Sequence, residues 1–126
     1  MKKLCLYPLA ALLGTVPLQP AQASGLLGMW TENGGPGAAR IAPCGAAADQ
    51  LCATGYDRNP DGSVGRKRAV VLRDLKPDGK NRWRGTYLDG SRKLPATVTL
   101  VAKGKVSMRV CLLILCQTVS YTRIGD

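Results

Sequence analysis

Cysteine is the residue type in this chain with the most chemistry open to it. Two close pairs, Cys44-x7-Cys52 and Cys111-x4-Cys116, can oxidise to disulfides or ligate zinc as thiolates. The second spacing is admissible for a zinc half-site, but the first is too wide. Catalytic chemistry has little to draw on. There is no histidine, which removes Ser–His and Cys–His nucleophile pairs and the commonest metal ligand. Glu32 is the only glutamate. Asp61, Asp78 and Asp89 each precede a glycine and suit turns. Of the other aspartates, Asp57 and Asp74 fall in or beside candidate strands, which is too little to propose a carboxylate pair. Asp57 with Asn59 forms either a small polar site or, the preferred reading, caps for the loop before Pro60. No phosphate loop or dinucleotide fingerprint is present. The expectation is a protein without catalysis, resident metal or cofactor.

The first residues point to export. Met1-Lys2-Lys3 is basic, Leu4 to Leu18 is mostly apolar, and Gln19 to Ala23 ends on an A-x-A pattern. This is the layout of a cleaved signal peptide over 1–23. It is too short for a membrane anchor, which needs about 20 apolar residues. Cys5 leaves with the leader, and the even number left in an exported chain reads as two disulfides. Four cysteines allow three connectivities. Cys44–Cys52 and Cys111–Cys116 are expected, because each pair can lie across or beside a short turn. The remaining 24–126 has the length of one domain, small enough to need such staples.

Eighteen lysines and arginines against eight acids give a formal net charge of +10, of which Lys2 and Lys3 belong to the leader. Such a surface favours anionic partners. The charge is dispersed, however, with Arg66-Lys67-Arg68 the one tight cluster. With no phenylalanine and few other aromatics, a base-stacking platform is not supported. Nucleic acid is therefore not expected as a partner; the basic residues read first as a solvated surface, with an anionic component of the cell envelope as the alternative partner.

The elements that must position these residues are short strands. Asn33-Gly34-Gly35, Asp61-Gly62, Asp78-Gly79, Asp89-Gly90 and Lys103-Gly104 mark turns that tolerate positive φ. Between them lie candidate strands at 26–32, 38–44, 51–57, 68–75, 82–88, 94–102, 105–111 and 116–124. The section from Arg58 to Arg68 reads as an extended loop. Leu94, Ala96, Val98, Leu100 and Ala102 alternate with Thr97 and Thr99, and Val106, Met108 and Val110 continue the pattern. Trp83, Gly85 and Tyr87 share one face, as do Val119, Tyr121 and Arg123. Eight antiparallel strands with one buried face make an all-β barrel or sandwich.

In a closed barrel the first and last strands are neighbours. Gly28-Met29-Trp30 and Tyr121-Thr122-Arg123 would then meet, with the arginine across the indole face. Two segments fit this scheme less simply. Leu112 to Leu115 is apolar for a turn, and forms either a disulfide loop packed over the barrel mouth or an exposed tip for a partner or lipid. Ala69-Val70-Val71-Leu72 is apolar on both faces, and is either covered on its outer side or part of a dimer contact.

The chain resembles the small exported bacterial proteins grouped as the domain of unknown function 2147, over nearly all of 24–126. The similarity runs through Gly28-x-Trp30-Thr31, Arg40-Ile41-Ala42-Pro43-Cys44-Gly45, Leu51-Cys52 and Asp57-x-Asn59-Pro60. It continues in Trp83-x-Gly85-x-Tyr87, Asp89-Gly90, Met108-Arg109-Val110-Cys111, Cys116-Gln117-Thr118 and Tyr121-Thr122-Arg123. Departures are Ala53 and Val110 at common glycine positions, Tyr121 at a common tryptophan position, and a shortened segment between Pro60 and Trp83. The resemblance implies an eight-stranded antiparallel up-and-down barrel of the lipocalin-like (calycin) kind. There Gly28, Trp30 and Arg123 would close the base.

An eight-stranded barrel is either filled by side chains or just wide enough for one small ligand. The expected function is binding of a small amphipathic or apolar molecule in the periplasm. Candidate pocket residues are Trp83, Tyr87, Val98, Leu100, Met108 and Tyr121, with Arg40 or Arg109 as an anion anchor. The alternative is an envelope interaction protein, acting through its basic surface or the Leu112–Leu115 tip.

Overall fold

The alternating segments and glycine turns fold into β1 (Gly28–Glu32), β2 (Ala38–Pro43), β3 (Leu51–Arg58), β4 (Val64–Pro77), β5 (Arg82–Asp89), β6 (Arg92–Ala102), β7 (Lys105–Leu112) and β8 (Leu115–Gly125). The computed structural model describes residues 25–45 and 49–125. The leader expected over 1–23 lies outside the described residues. Each strand pairs antiparallel with the next, and β8 returns to β1, so the sheet closes as an up-and-down barrel. Closure leaves no row of unpaired backbone groups along an edge.

Successive antiparallel strands put alternate turns at opposite ends. The β1–β2, β3–β4, β5–β6 and β7–β8 turns share one end, here the mouth. The other end, the floor, holds Leu26, Trp30 and Arg123. Glycines serve the turns as expected; Gly90 and Gly104, for example, have φ of 62° and 74°.

Most strand ends shift from the sequence reading by one or two residues, and the large departure is at the β3–β4 connection. Arg58 to Arg68 is not an extended loop. Arg58 pairs with Val64, and the intervening turn is closed by the Asn59 amide donating to the Ser63 carbonyl at 2.8 Å. Asp61 accepts from the Ser63 hydroxyl at 2.6 Å and from its amide at 2.9 Å. These bonds, the hydroxyl first, hold the Asp61 carboxyl below its ordinary pKa. The hairpin also extends β4 well beyond the expected 68–75. A polar strand end far from the core leaves no hydrophobic alternation to find.

β4 further departs from simple alternation. Leu72 and Leu75 are both buried although three residues apart. Asp74, at φ 57°, breaks the period, and the pairing with β5 shifts between Arg73 and Lys76. This is a bulge, which re-aims side chains at a local cost in pairing. Gly85 on β5 makes room for it. A β-carbon there would stand 2.7 Å from the Arg73 carbonyl oxygen and 3.0 Å from the Leu75 side chain.

The barrel interior is one core that includes Trp30, Leu51, Leu75, Trp83, Val98 and Val106. The two cysteine pairs expected are those the fold brings together: Cys44 with Cys52 beside the β2–β3 loop, and Cys111 opposite Cys116 on β7 and β8. Nothing in the described chain covers the outer side of Ala69 and Val70, which are exposed.

Candidate functional site

The floor is built from the closing strand pair. Trp30 stands opposite Arg123 across β1 and β8. The guanidinium carbon lies 4.7 Å from the indole centroid, and its nitrogens donate to the carbonyls of Leu27 and Gly25. Trp30, 1% exposed, donates its Nε1–H to the Leu26 carbonyl at 2.9 Å. Every polar group that this cluster buries is thereby partnered. The planar cation seals the base from the side and leaves no charge aimed up the barrel.

Above Trp30 the interior is not filled. A cavity of about 210 Å³ runs between the walls. Its cause is side-chain volume. The inward positions of β2 and β3 include Ala39, Ala53 and Gly55, too small to meet Val98, Val106 and Met108 across the barrel. Eight strands enclose a fixed width, so small residues on one wall become space. The lining is apolar apart from the mouth.

The mouth carries Glu32, Tyr87 and Tyr121. Glu32 is the register partner of Tyr121 across the β1–β8 seam. The Tyr121 hydroxyl is pushed up to about 12, first by burial, then by the Glu32 carboxylate and then by Tyr87. The Glu32 side chain folds back over the β1–β2 turn. A β-carbon at Gly35 would stand 2.5 Å from its Oε2, and one at Gly37 would stand 2.8 Å from its Oε1. The two glycines therefore leave the space that the carboxylate occupies.

Of the residues singled out from sequence, Tyr87, Met108 and Tyr121, with Val98, line this cavity. Trp83 is buried in the surrounding core, and Leu100 packs towards the floor beside Gly25. Arg40 and Arg109 are not in the cavity. Both occupy outward positions of their strands and are exposed, because their neighbours Ile41 and Met108 take the inward ones. Arg40 lies beside Arg123 in a groove of the outer wall. Arg109 stands in a cross-strand row with Arg84, Thr97 and Thr118, flanked by Arg82 and Asp78. The anion anchor expected from these arginines is thus outside the cavity, and the charged residue in the cavity lining is Glu32.

Glu32 was missed as a lining residue. Its signal was its parity with Trp30: residues two apart on a strand share a face. Asp57 and Asn59 do not form a joint site. Asp57 pairs with Arg68 at 2.6 Å, while the Asn59 amide donates to the Ser63 hydroxyl at 2.9 Å.

The apolar tip resolves in one direction. Leu113 and Ile114 are 91% and 93% exposed, so the loop does not fold over the mouth. Leu113 holds φ 59°, a conformation usually left to glycine or asparagine. The Cys111–Cys116 bridge sits directly behind it.

No protein-family model matches this chain, and no curated protein or solved structure does.

Proposed function

We propose that the protein is an exported binding module whose barrel takes one small amphipathic or apolar molecule through the mouth. The observation that carries this reading is the apolar cavity above Trp30, open at the end where Glu32, Tyr87 and Tyr121 converge. A concave apolar site with a few convergent polar groups is the usual form of a small-molecule site. At about 210 Å³ it suits a ligand below the size served by pockets of about 300–1,000 Å³. Binding rather than catalysis fits a chain without histidine. Most of its described aspartates, moreover, are engaged by arginines or turn groups. Periplasmic residence is supported by the leader-like 1–23 and by the two disulfides. Native mass spectrometry of the protein purified from periplasm tests the reading. A small molecule released on activation is expected. A barrel that carries none, and that leaves the fluorescence of Trp30 in a Trp83→Phe variant unchanged on titration with short-chain amphiphiles, refutes it.

A second reading is favoured by the Leu112–Leu115 tip. Leu113 and Ile114 face solvent, and Leu113 holds a left-handed backbone that leucine disfavours, so neither packing nor turn chemistry accounts for this tip. Here the protein acts on an envelope partner through this tip or through the basic row of Arg84 and Arg109. Crosslinking in intact cells decides it. Loss of a crosslink in Leu113→Asp or Arg109→Asp supports the surface reading, and an unchanged pattern in both removes it.

A further inference from the structure

Within the +10 chain, the Glu32 carboxylate stands apart from the basic residues. Asp57, Asp74, Asp78 and Asp89 each lie within 4.0 Å of an arginine, and Asp61 is held by Ser63 in its exposed turn. No such ion pair joins Glu32 to a lysine or arginine among the described residues. Its side chain, half-buried, lines the cavity mouth beside Tyr87 and Tyr121. Gly35 and Gly37 leave the room that this side-chain position uses, since a β-carbon at either would stand 2.5 or 2.8 Å from a carboxylate oxygen and the side chain would have to shift.

From this geometry we infer that the ligand is a cationic amphiphile: its amine or ammonium group pairs with Glu32 between the two tyrosines, and its apolar part fills the shaft down to Trp30. The inference rests on the cavity being a binding site and adds the chemical class of its occupant. A carboxylate accepts strong charge-assisted hydrogen bonds from an ammonium group. Aromatic rings beside it attract the same charge through their quadrupoles. A fatty acid or other anionic amphiphile would bring its charge against Glu32 with no arginine in the cavity to receive it, since Arg40 and Arg109 lie outside. A single carboxylate is also a poor metal site, which needs several oxygen donors. The overall positive field of the protein repels cations, so any preference for an amine must be produced locally.

The test compares three probes of equal chain length, octylamine, octanol and octanoate, at pH 7 by calorimetric titration into the full protein. Octylammonium is expected to bind at least tenfold more tightly than either of the others. In Glu32→Gln this ratio should collapse to about threefold or less. Gly35→Ala, which keeps the carboxylate but displaces it, should reduce the ratio as well, and thermal melts report whether each variant is folded. If octanol and octanoate match octylamine in the wild type, the inference is wrong while the cavity reading stands. If the preference for amine survives in a folded Glu32→Gln, Glu32 is not its source and the inference is again overturned. If none of the three probes binds, the cavity reading itself falls, and the inference with it.

Discussion

Replacing Arg123 by alanine should cost stability before it affects any ligand. The magnitude follows from what the guanidinium touches. Its position 4.7 Å from the Trp30 centroid contributes about 0.5–2 kcal/mol, depending on desolvation. Its hydrogen bonds to the Leu27 and Gly25 carbonyls would each contribute about 1.5–3 kcal/mol if fully buried. Arg123 is only half-buried and water replaces the lost donors, so each hydrogen bond is discounted to about 1 kcal/mol and the stack to the lower part of its range. The total is about 2–3 kcal/mol. For a domain of this size that lowers Tm by about 10–20 °C. Thermal and urea unfolding followed by circular dichroism measure it. Arg123→Lys separates charge from shape: a lysine retains the cation but not the planar stack or the forked donors, and should recover less than half of the loss. A Trp30→Phe/Arg123→Ala cycle should show coupling of about 1 kcal/mol. If Arg123→Ala melts within about 3 °C of the wild type, against the expectation from stability scaling, the floor argument is wrong. If it melts normally but no longer binds amphiphiles, the binding site belongs at the seam and not at the mouth.

Gly85→Ala should destabilise by about 1–3 kcal/mol through overpacking, because its β-carbon would meet the Arg73 carbonyl at 2.7 Å; urea titration reads this, and an unchanged midpoint would show that the bulge yields freely. Tyr121 should ionise at about 12, whereas the unfolded chain ionises near the usual value of about 10. Since the native state holds this proton longer, stability should fall as pH rises from about 10 to about 12. Ultraviolet titration of Glu32→Gln should show the Tyr121 value lowered yet still above 10.0, because burial is the larger cause; no change would mean that the carboxylate does not face the phenol. Replacing both Cys111 and Cys116 by serine should cost about 2 kcal/mol in loop-closure entropy without loss of the barrel's circular dichroism. An equal midpoint in reducing and oxidising buffer would remove the staple argument.

The closed barrel was legible where the sequence alternates cleanly. β6 and β7 show it best, since Val98 and Met108 face in while Thr97 and Arg109 face out. The Trp30–Arg123 seam was legible too, because closure forces the first and last strands together. The cavity was less so. Large residues such as Tyr87 and Met108 attract notice, but a void is made by the residues that fail to fill it, here Ala39, Ala53 and Gly55. Small side chains give little periodic hydrophobic signal. Arg40 and Arg109 were placed by charge rather than by parity, and one-residue parity decides which face of a strand a side chain occupies. The bulge at Asp74 could not be read at all. It depends on the space left by Gly85 on the next strand, a contact that no local pattern in β4 records.

The seam also fixes where the barrel can be opened. Met29 pairs with Gly125, so the two strand ends leave side by side at the floor, facing away from the mouth. A short linker there would join them without crossing the cavity entrance. The exposed turn between Leu113 and Ile114 then becomes a natural place for new ends, since such tips tolerate circular permutation best. The Cys111–Cys116 bond would keep the cut hairpin fastened, and β7 and β8 would remain paired across the break. A permuted barrel of this kind could be tethered by its mouth-side ends, presenting the cavity to a surface in the reverse orientation.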